Sequence, residues 1–239
     1  MDALAGSLDR FGRTWNDYEV RGLQHLPRDR PVLLVLYHGL VPMDALYLVA
    51  RLYRTEGLVV RTLAERLLFK LPLLAQWSRA AGAIPGEPGA ALQLLQDGHT
   101  VMVSPGGARE AIAGRPDFYQ VKWGDRVGFA RLALDAGVAL LPVFGENIEE
   151  LYRAPLAHTA PIQQLYERTR LPLVPVMGLG PLPVPVKLRT WIGAPIVPLQ
   201  GESPGHLRDR VRDALQALIN EHQPARPRML RALAQRVAP

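Results

Sequence analysis

Tyr37-His38-Gly39-Leu40-Val41-Pro42-Met43-Asp44 joins a histidine to a carboxylate across five intervening residues. An imidazole beside a carboxylate is equipped for acid–base work. The carboxylate can accept a hydrogen bond from one ring nitrogen and leave the other as a base. The offset of six sets a condition. On one continuous helix it rotates the second side chain by about 240°, so the pair would not share a face. A turn after His38 must bring the two together. The plainer alternative is a turn histidine followed by an aspartate that the helix dipole favours at an N-terminus.

Val101-Met-Val-Ser-Pro-Gly-Gly-Ala-Arg-Glu110 is the second reactive segment. Gly106 and Gly107 permit close backbone approach, and their N–H groups can hold an anion or a developing oxyanion. Arg109 can grip a phosphate or carboxylate in fork geometry. Glu110 can contribute a carboxylate or simply orient Arg109. A tight turn with an Arg109–Glu110 ion pair is the competing account. Ser104 sits in Ser-Pro-Gly-Gly, without a Gly-x-Ser-x-Gly elbow, and reads as structural rather than nucleophilic. The chain contains no cysteine, which excludes thiol catalysis and Cys-ligated metal. His25, His99, His158, His206 and His222 show no metal-ligand spacing and read as structural or surface residues, so no metal is expected.

These segments need elements to position them. Pro31–Leu36 is a short, wholly apolar run, which predicts a strand buried on both faces, as in a parallel sheet. His38 therefore falls at a strand's carboxyl end, where open α/β sheets bind ligands. Further strands are predicted at 57–61, 99–103, 138–143 and 186–192. Helices are predicted at 42–55, 63–80 with a break at Pro72, 88–97, 125–135, 161–170, 204–222 and 226–237. Alternation of strand and helix predicts an α/β fold with a mainly parallel sheet flanked by helices. Trp123 and Phe129 read as core. Leu4, Leu8, Phe11, Trp15 and Tyr18 fall on one face of an amphipathic helix over 2–19. That stripe can pack on the domain or lie in a bilayer interface.

The 239 residues, 48% hydrophobic and 21% charged, suit one globular domain and exclude intrinsic disorder. The N-terminus has no signal-peptide pattern, and no apolar run reaches transmembrane length. Cysteine usage fits a cytoplasmic protein. The net charge of +6 is uneven: residues 204–239 hold seven arginines against three acids. No nucleic-acid-binding motif accompanies them, so nucleic acid is not expected as a partner. Met229, Leu230, Leu233 and Val237 share one side of the basic tail, a pattern suited to an anionic bilayer.

Taken as a set, the blocks resemble the glycerolipid (lysophospholipid/glycerol-phosphate) acyltransferase superfamily. Its His-four-residues-Asp block is matched by His38…Asp44, and its Gly-containing second block by Ala80-Ala-Gly-Ala-Ile-Pro-Gly86. Its Phe-Pro-Glu-Gly-Thr-Arg-like block is matched by Ser104-Pro-Gly-Gly-Ala-Arg109, and its proline-bearing strand by Leu140-Leu-Pro-Val143. The order holds across about residues 31–195. Three departures stand out. The His–Asp interval is one residue longer, Gly106 replaces the usual glutamate, and Pro85-Gly86 replaces a frequent arginine. With the run Lys122–Ala130, they resemble the diacylglycerol acyltransferase-like branch that includes the phytyl ester synthases.

The resemblance implies an O-acyltransferase with an acyl-CoA or acyl-carrier-protein donor as cosubstrate, no further cofactor, and a lipid hydroxyl as acceptor. It implies His38 as base and Asp44 as its support. Gly39, Ser104, Gly106, Gly107, Arg109 and Glu110 are the expected substrate-binding residues. The lost second-block arginine leans the acceptor toward a neutral glycerolipid or a long-chain alcohol. A lysophospholipid acyltransferase, a lipid hydrolase and a non-catalytic lipid-binding protein are the alternatives. The expected organisation is an amphipathic helix over 1–24, an acyltransferase domain over 25–222 and a basic tail over 223–239. The enzyme is expected to work peripherally, on the cytoplasmic side of a membrane.

Overall fold

The apolar run ahead of His38 forms the central strand of a seven-stranded sheet. This computed structural model describes residues 2–70, 72–107, 110, 118–155, 159, 164, 175–223 and 229–237. The strands are β1 (Glu19–Arg21), β2 (Val32–Leu36), β3 (Val60–Ala64), β4 (Ala83–Pro85), β5 (Thr100–Val103), β6 (Ala139–Glu146) and β7 (Arg189–Ile192). Their spatial order is β1-β7-β6-β2-β5-β3-β4. All pairings are parallel except β6 with β7. The expected α/β architecture is therefore present, with one antiparallel pairing that apolar content alone does not reveal.

Every residue of β2 is buried, because helices cover both faces of the sheet. Leu33 and Val35 enter one core with Leu95, Ala130 and Val211; Val32, Leu34 and Leu36 enter the other with Ala45, Leu48 and Leu52. The covering helices are α1 (Asp2–Trp15), α2 (Met43–Glu56), α3 (Pro72–Ala80), α4 (Pro88–Gln96), α5 (Gly128–Ala136), α6 (Pro204–His222) and α7 (Met229–Ala234). Ser203 caps α6 by accepting from the His206 N–H. Trp123 and Phe129 are buried, edge to face, at 4.9 Å.

Several boundaries differ from the sequence reading. β1 and β4 are three residues each, too short to show a period. The segment expected to be one broken helix over 63–80 begins inside β3, passes a 3-10 turn at Arg66–Lys70 and becomes helical at Pro72. Pro72 thus starts a helix, the position where its fixed φ is favourable. Apart from Gln164, the expected 161–170 helix lies outside the described residues.

The N-terminal apolar stripe faces the protein, and the C-terminal one does so in part. α1 ends at Trp15 and packs on α2: Gly12 lies so close to Tyr47 that an added Cβ would stand 3.0 Å from the ring. Phe11 and Trp15 stack at 5.9 Å, and the Trp15 Nε1–H donates to the Pro183 carbonyl at 2.8 Å. Tyr18 has left the helix and donates its hydroxyl to Thr190 Oγ1 at 2.9 Å. In the tail, Met229 and Leu233 pack on the core, while Leu230 and Val237 remain exposed. Among the described residues no helix is long and apolar enough to cross a membrane.

Candidate functional site

His38 lies just past β2, and Ser104 just past the neighbouring β5. Both side chains line one cleft of about 460 Å³. Leu36, Leu40, Ala45, Leu46, Val49, Leu63 and Met102 make most of its wall apolar, while Gly107 and Arg126 stand beside His38 and Ser104. That volume lies within the ordinary range of small-molecule sites, and the wall suits a hydrocarbon chain. A smaller apolar hollow between α1, α2 and Ala80–Gly82 shares Leu46, Val49 and Ala81 with it.

The half-buried His38 ring is oriented by its own loop. Its Nδ1 lies 2.6 Å from the Gly39 carbonyl oxygen. A carbonyl only accepts, so Nδ1 carries the proton in the neutral ring and Nε2 is left as the base. Burial lowers the His38 pKa below its ordinary value, which keeps the ring neutral and able to take a proton. Gly39 is required sterically: a Cβ there would stand 2.5 Å from Ile148 Cγ1.

Asp44 is fully buried in the first turn of α2, and neither carboxylate oxygen has a hydrogen-bond partner. The hydrogen bond expected between Asp44 and His38 is thus not made in this arrangement. The carboxylate instead packs on Gly145 of β6, where a Cβ would meet Asp44 Oδ2 at 2.5 Å. Burial pushes the Asp44 pKa up to about 7, and nearby backbone amides offset this only in part.

In the glycine-rich turn, one of the two expected oxyanion donors is already engaged. The Gly107 N–H donates to the Ser104 carbonyl at 3.0 Å and is committed to the turn. Gly106 makes room for Glu110, whose carboxyl group fills the space that a side chain at 106 would enter. Glu110 accepts from the His38 backbone N–H at 3.3 Å and from the Lys122 N–H at 3.0 Å. It is buried, and burial pushes its pKa up to about 7. A carboxylate therefore does stand beside Gly106, supplied from four residues downstream. Arg109 lies outside the described residues.

Three features escaped the sequence reading. Arg126 lines the cleft and donates through Nη1 to the carbonyls of Pro105 and Gly106, at 2.5 and 2.7 Å. Gly145 leaves space for Asp44; a glycine ending an apolar strand was the available signal. Behind the site, Tyr37 donates to Glu149 at 2.8 Å and Tyr119 donates to Glu150, all four residues being buried. Burial pushes Glu149 up to about 8. Nothing in the spacing of these four residues indicates that they meet. Among the described residues, no group of three or more His, Asp or Glu side chains is placed to hold a metal ion.

Comparison with known proteins places this geometry in context. The model of a family described as Acyltransferase matches residues 17–145. A bovine (Bos taurus) protein named "DGAT1/2-independent enzyme synthesizing storage lipids" is 36% identical over 95% of this chain and 66% of its own length. The chicken (Gallus gallus) protein of that name is 37% identical over 98% of this chain and 69% of its own. The chain thus spans about two thirds of the length of these relatives. Among solved structures, the 1-acyl-sn-glycerophosphate acyltransferase PlsC from Thermotoga maritima shares the fold. Its TM-score is 0.59 at 21% identity, covering 91% of this chain and 79% of that one.

Proposed function

This chain belongs to the glycerolipid-type Acyltransferase family, and from that premise we propose that it esterifies a neutral lipid hydroxyl with a fatty acyl group from acyl-CoA or acyl-carrier protein. The observation that carries the reading is His38. Its Nδ1 is turned to the Gly39 carbonyl, and the residue lines a mostly apolar cleft. In the proposed reaction the fatty chain lies along Leu46, Val49 and Leu63, with its thioester near His38. Nε2 takes the proton from the acceptor hydroxyl as the oxygen attacks the thioester carbonyl. The tetrahedral intermediate collapses to the ester, and the carrier thiolate leaves and takes up a proton. Such base catalysis is worth about 10²–10⁴-fold.

Asp44 enters as the carboxylate that takes Nδ1–H when the ring leaves the Gly39 carbonyl, stabilising the imidazolium at the moment it forms. The N–H groups of Gly39 and Gly106 are the proposed oxyanion donors, since those of His38 and Gly107 are already bonded. Ser104 shapes the wall of the acyl site. Arg109 keeps its proposed anion-binding role from the sequence pattern.

A neutral acceptor is supported by Pro85-Gly86, where a phosphate-binding arginine is frequent in the resembling sequences. The relatives' name, which refers to storage lipids, agrees with that choice. Mass spectrometry of products formed from acyl-CoA with mono- or diacylglycerol, against lysophosphatidic acid, tests it. The expected result is ester product with the neutral acceptors. Ester from the phosphorylated acceptor alone overturns the neutral assignment, and free fatty acid alone overturns transfer in favour of hydrolysis.

A further inference from the structure

The packing of α1 and α7 leaves one concentrated apolar surface in the open. Val176, Met177, Leu179 and Leu182 are 43%, 58%, 54% and 41% exposed within seven residues of chain. They sit on a small hairpin whose backbone is partly paired. Met177 and Arg153 exchange two N–H···O bonds at 2.8 Å, and Leu179 and Leu182 exchange two at 2.9 and 3.3 Å. Gly180 turns the chain with a positive φ of 65°. Gly178 is needed because a Cβ there would strike the Leu182 carbonyl. The hairpin thus offers side chains outward while the N–H and C=O groups of Met177, Leu179 and Leu182 are paired, which lowers the cost of entering an apolar environment.

Its place in the fold decides what it faces. β6 runs parallel to β2, so its end lies on the same edge of the sheet as His38. The 3-10 turn that follows β6 packs Ile148 against Gly39. Leu151, next in the chain, accepts from the Val184 N–H at 2.8 Å, and Arg153 pairs with Met177. A short path of contacts therefore joins the catalytic loop to the hairpin along one rim. No charged residue occurs between Leu171 and Val186, yet exposed Arg153 stands at the hairpin base. Tyr152 reaches the Pro181 carbonyl there. Apolar tip, tyrosine and arginine at the base form the sequence of groups favoured across a bilayer interface. Of the other exposed apolar residues, Leu230 and Val237 belong to the tail, and Val197 and Leu199 flank Pro198 at the opposite edge, where Ile196 pairs with Leu140 near the start of β6.

We propose that the 175–184 hairpin inserts into the interfacial layer of an anionic lipid bilayer and seats the His38 edge of the sheet on that surface. The proposal rests on the reading above that the acceptor is a lipid. It places the membrane contact at the rim of the site rather than on α1, whose apolar face packs inward, or on the C-terminal tail, where Met229 and Leu233 pack on the core.

The test is co-flotation of the full chain with phosphatidylcholine vesicles containing phosphatidylserine. Wild type, Met177→Glu/Leu179→Glu and the opposite-edge control Val197→Glu/Leu199→Glu are compared. Each is also assayed with a short-chain acyl-CoA and a water-soluble acceptor alcohol. The proposal expects the hairpin variant to lose about tenfold or more of vesicle binding, as charges replace interfacial apolar groups. The control variant binds like wild type. Soluble-substrate turnover stays at the wild-type level in both. Unchanged flotation of the hairpin variant, no flotation of wild type, equal loss in the control, or loss of soluble-substrate turnover in the hairpin variant alone would each overturn it. If wild type floats through the hairpin but forms no ester with any acceptor, the acyl-transfer reading fails and the surface assignment stands.

Discussion

At the residue scale, the site combines a neutral, oriented histidine with carboxyl groups that burial discourages from ionising. Asp44, Glu110 and Glu149 are all pushed up, to about 7, 7 and 8. Their ordinary values are 3.8 and 4.5, so between about pH 4 and pH 7–8 the unfolded chain has released protons that the folded one retains. These three groups then lower stability as pH rises, by about 1.4 kcal/mol per pH unit each, while His38, with its lowered pKa, opposes them below its ordinary value of 6.5. Thermal melts from about pH 6.5 to pH 8, above the range in which His38 contributes, should show a falling Tm, and Asp44→Asn should flatten part of the slope. A Tm that rises with pH across this window, or an unaltered slope in the variant, contradicts this account of Asp44. The position of His38 was legible in the sequence because an apolar run delivers it to a strand end. The direction of the Asp44 carboxylate was not. It depends on the space left by Gly145, about a hundred residues later. The match between Gly106 and Glu110 was likewise hidden, because four residues of separation across a turn fix no mutual orientation.

At the element scale, α2 is the part that ties the N-terminus to the chemistry. It carries Asp44, and its Ala45, Leu46 and Val49 line the cleft. α1 lies against its other side, with Gly12 seated on the Tyr47 ring. Gly12→Leu should therefore part the two helices, lowering stability by about 1–3 kcal/mol as overpacking typically does. Urea unfolding reads this directly, and stability equal to wild type would show that α1 is not packed as described. The elements legible in advance were those with a strong, long pattern: β2, β5, β6, α2 and α6. β1 and β4 have three residues each and take their form from neighbours rather than from their own sequence. β7 was legible as a strand, but its antiparallel direction is set by how the chain returns to β6. The amphipathic face of α1 was legible too. Its partner was not, since a helix and a bilayer demand the same stripe.

At the scale of the whole molecule, the sheet gathers its working parts along one edge. Strand ends bring His38, Ser104 and Gly145 there, and the 175–184 hairpin projects from the same rim. Arg236 donates to the carbonyls of Pro185 and Thr14, and Arg210 pairs with Glu202, so part of the C-terminal charge serves the fold. The proposed function rests on His38, at the wall of the apolar cleft, acting as the base. The most direct test is ester formation by purified wild type and His38→Ala, from long-chain acyl-CoA and diacylglycerol in mixed micelles, followed by mass spectrometry. Wild type should form ester, and the variant should keep the wild-type melting profile while losing about 10²–10⁴-fold of the rate. A folded His38→Ala protein that forms ester at the wild-type rate would contradict the assignment of His38 as the base.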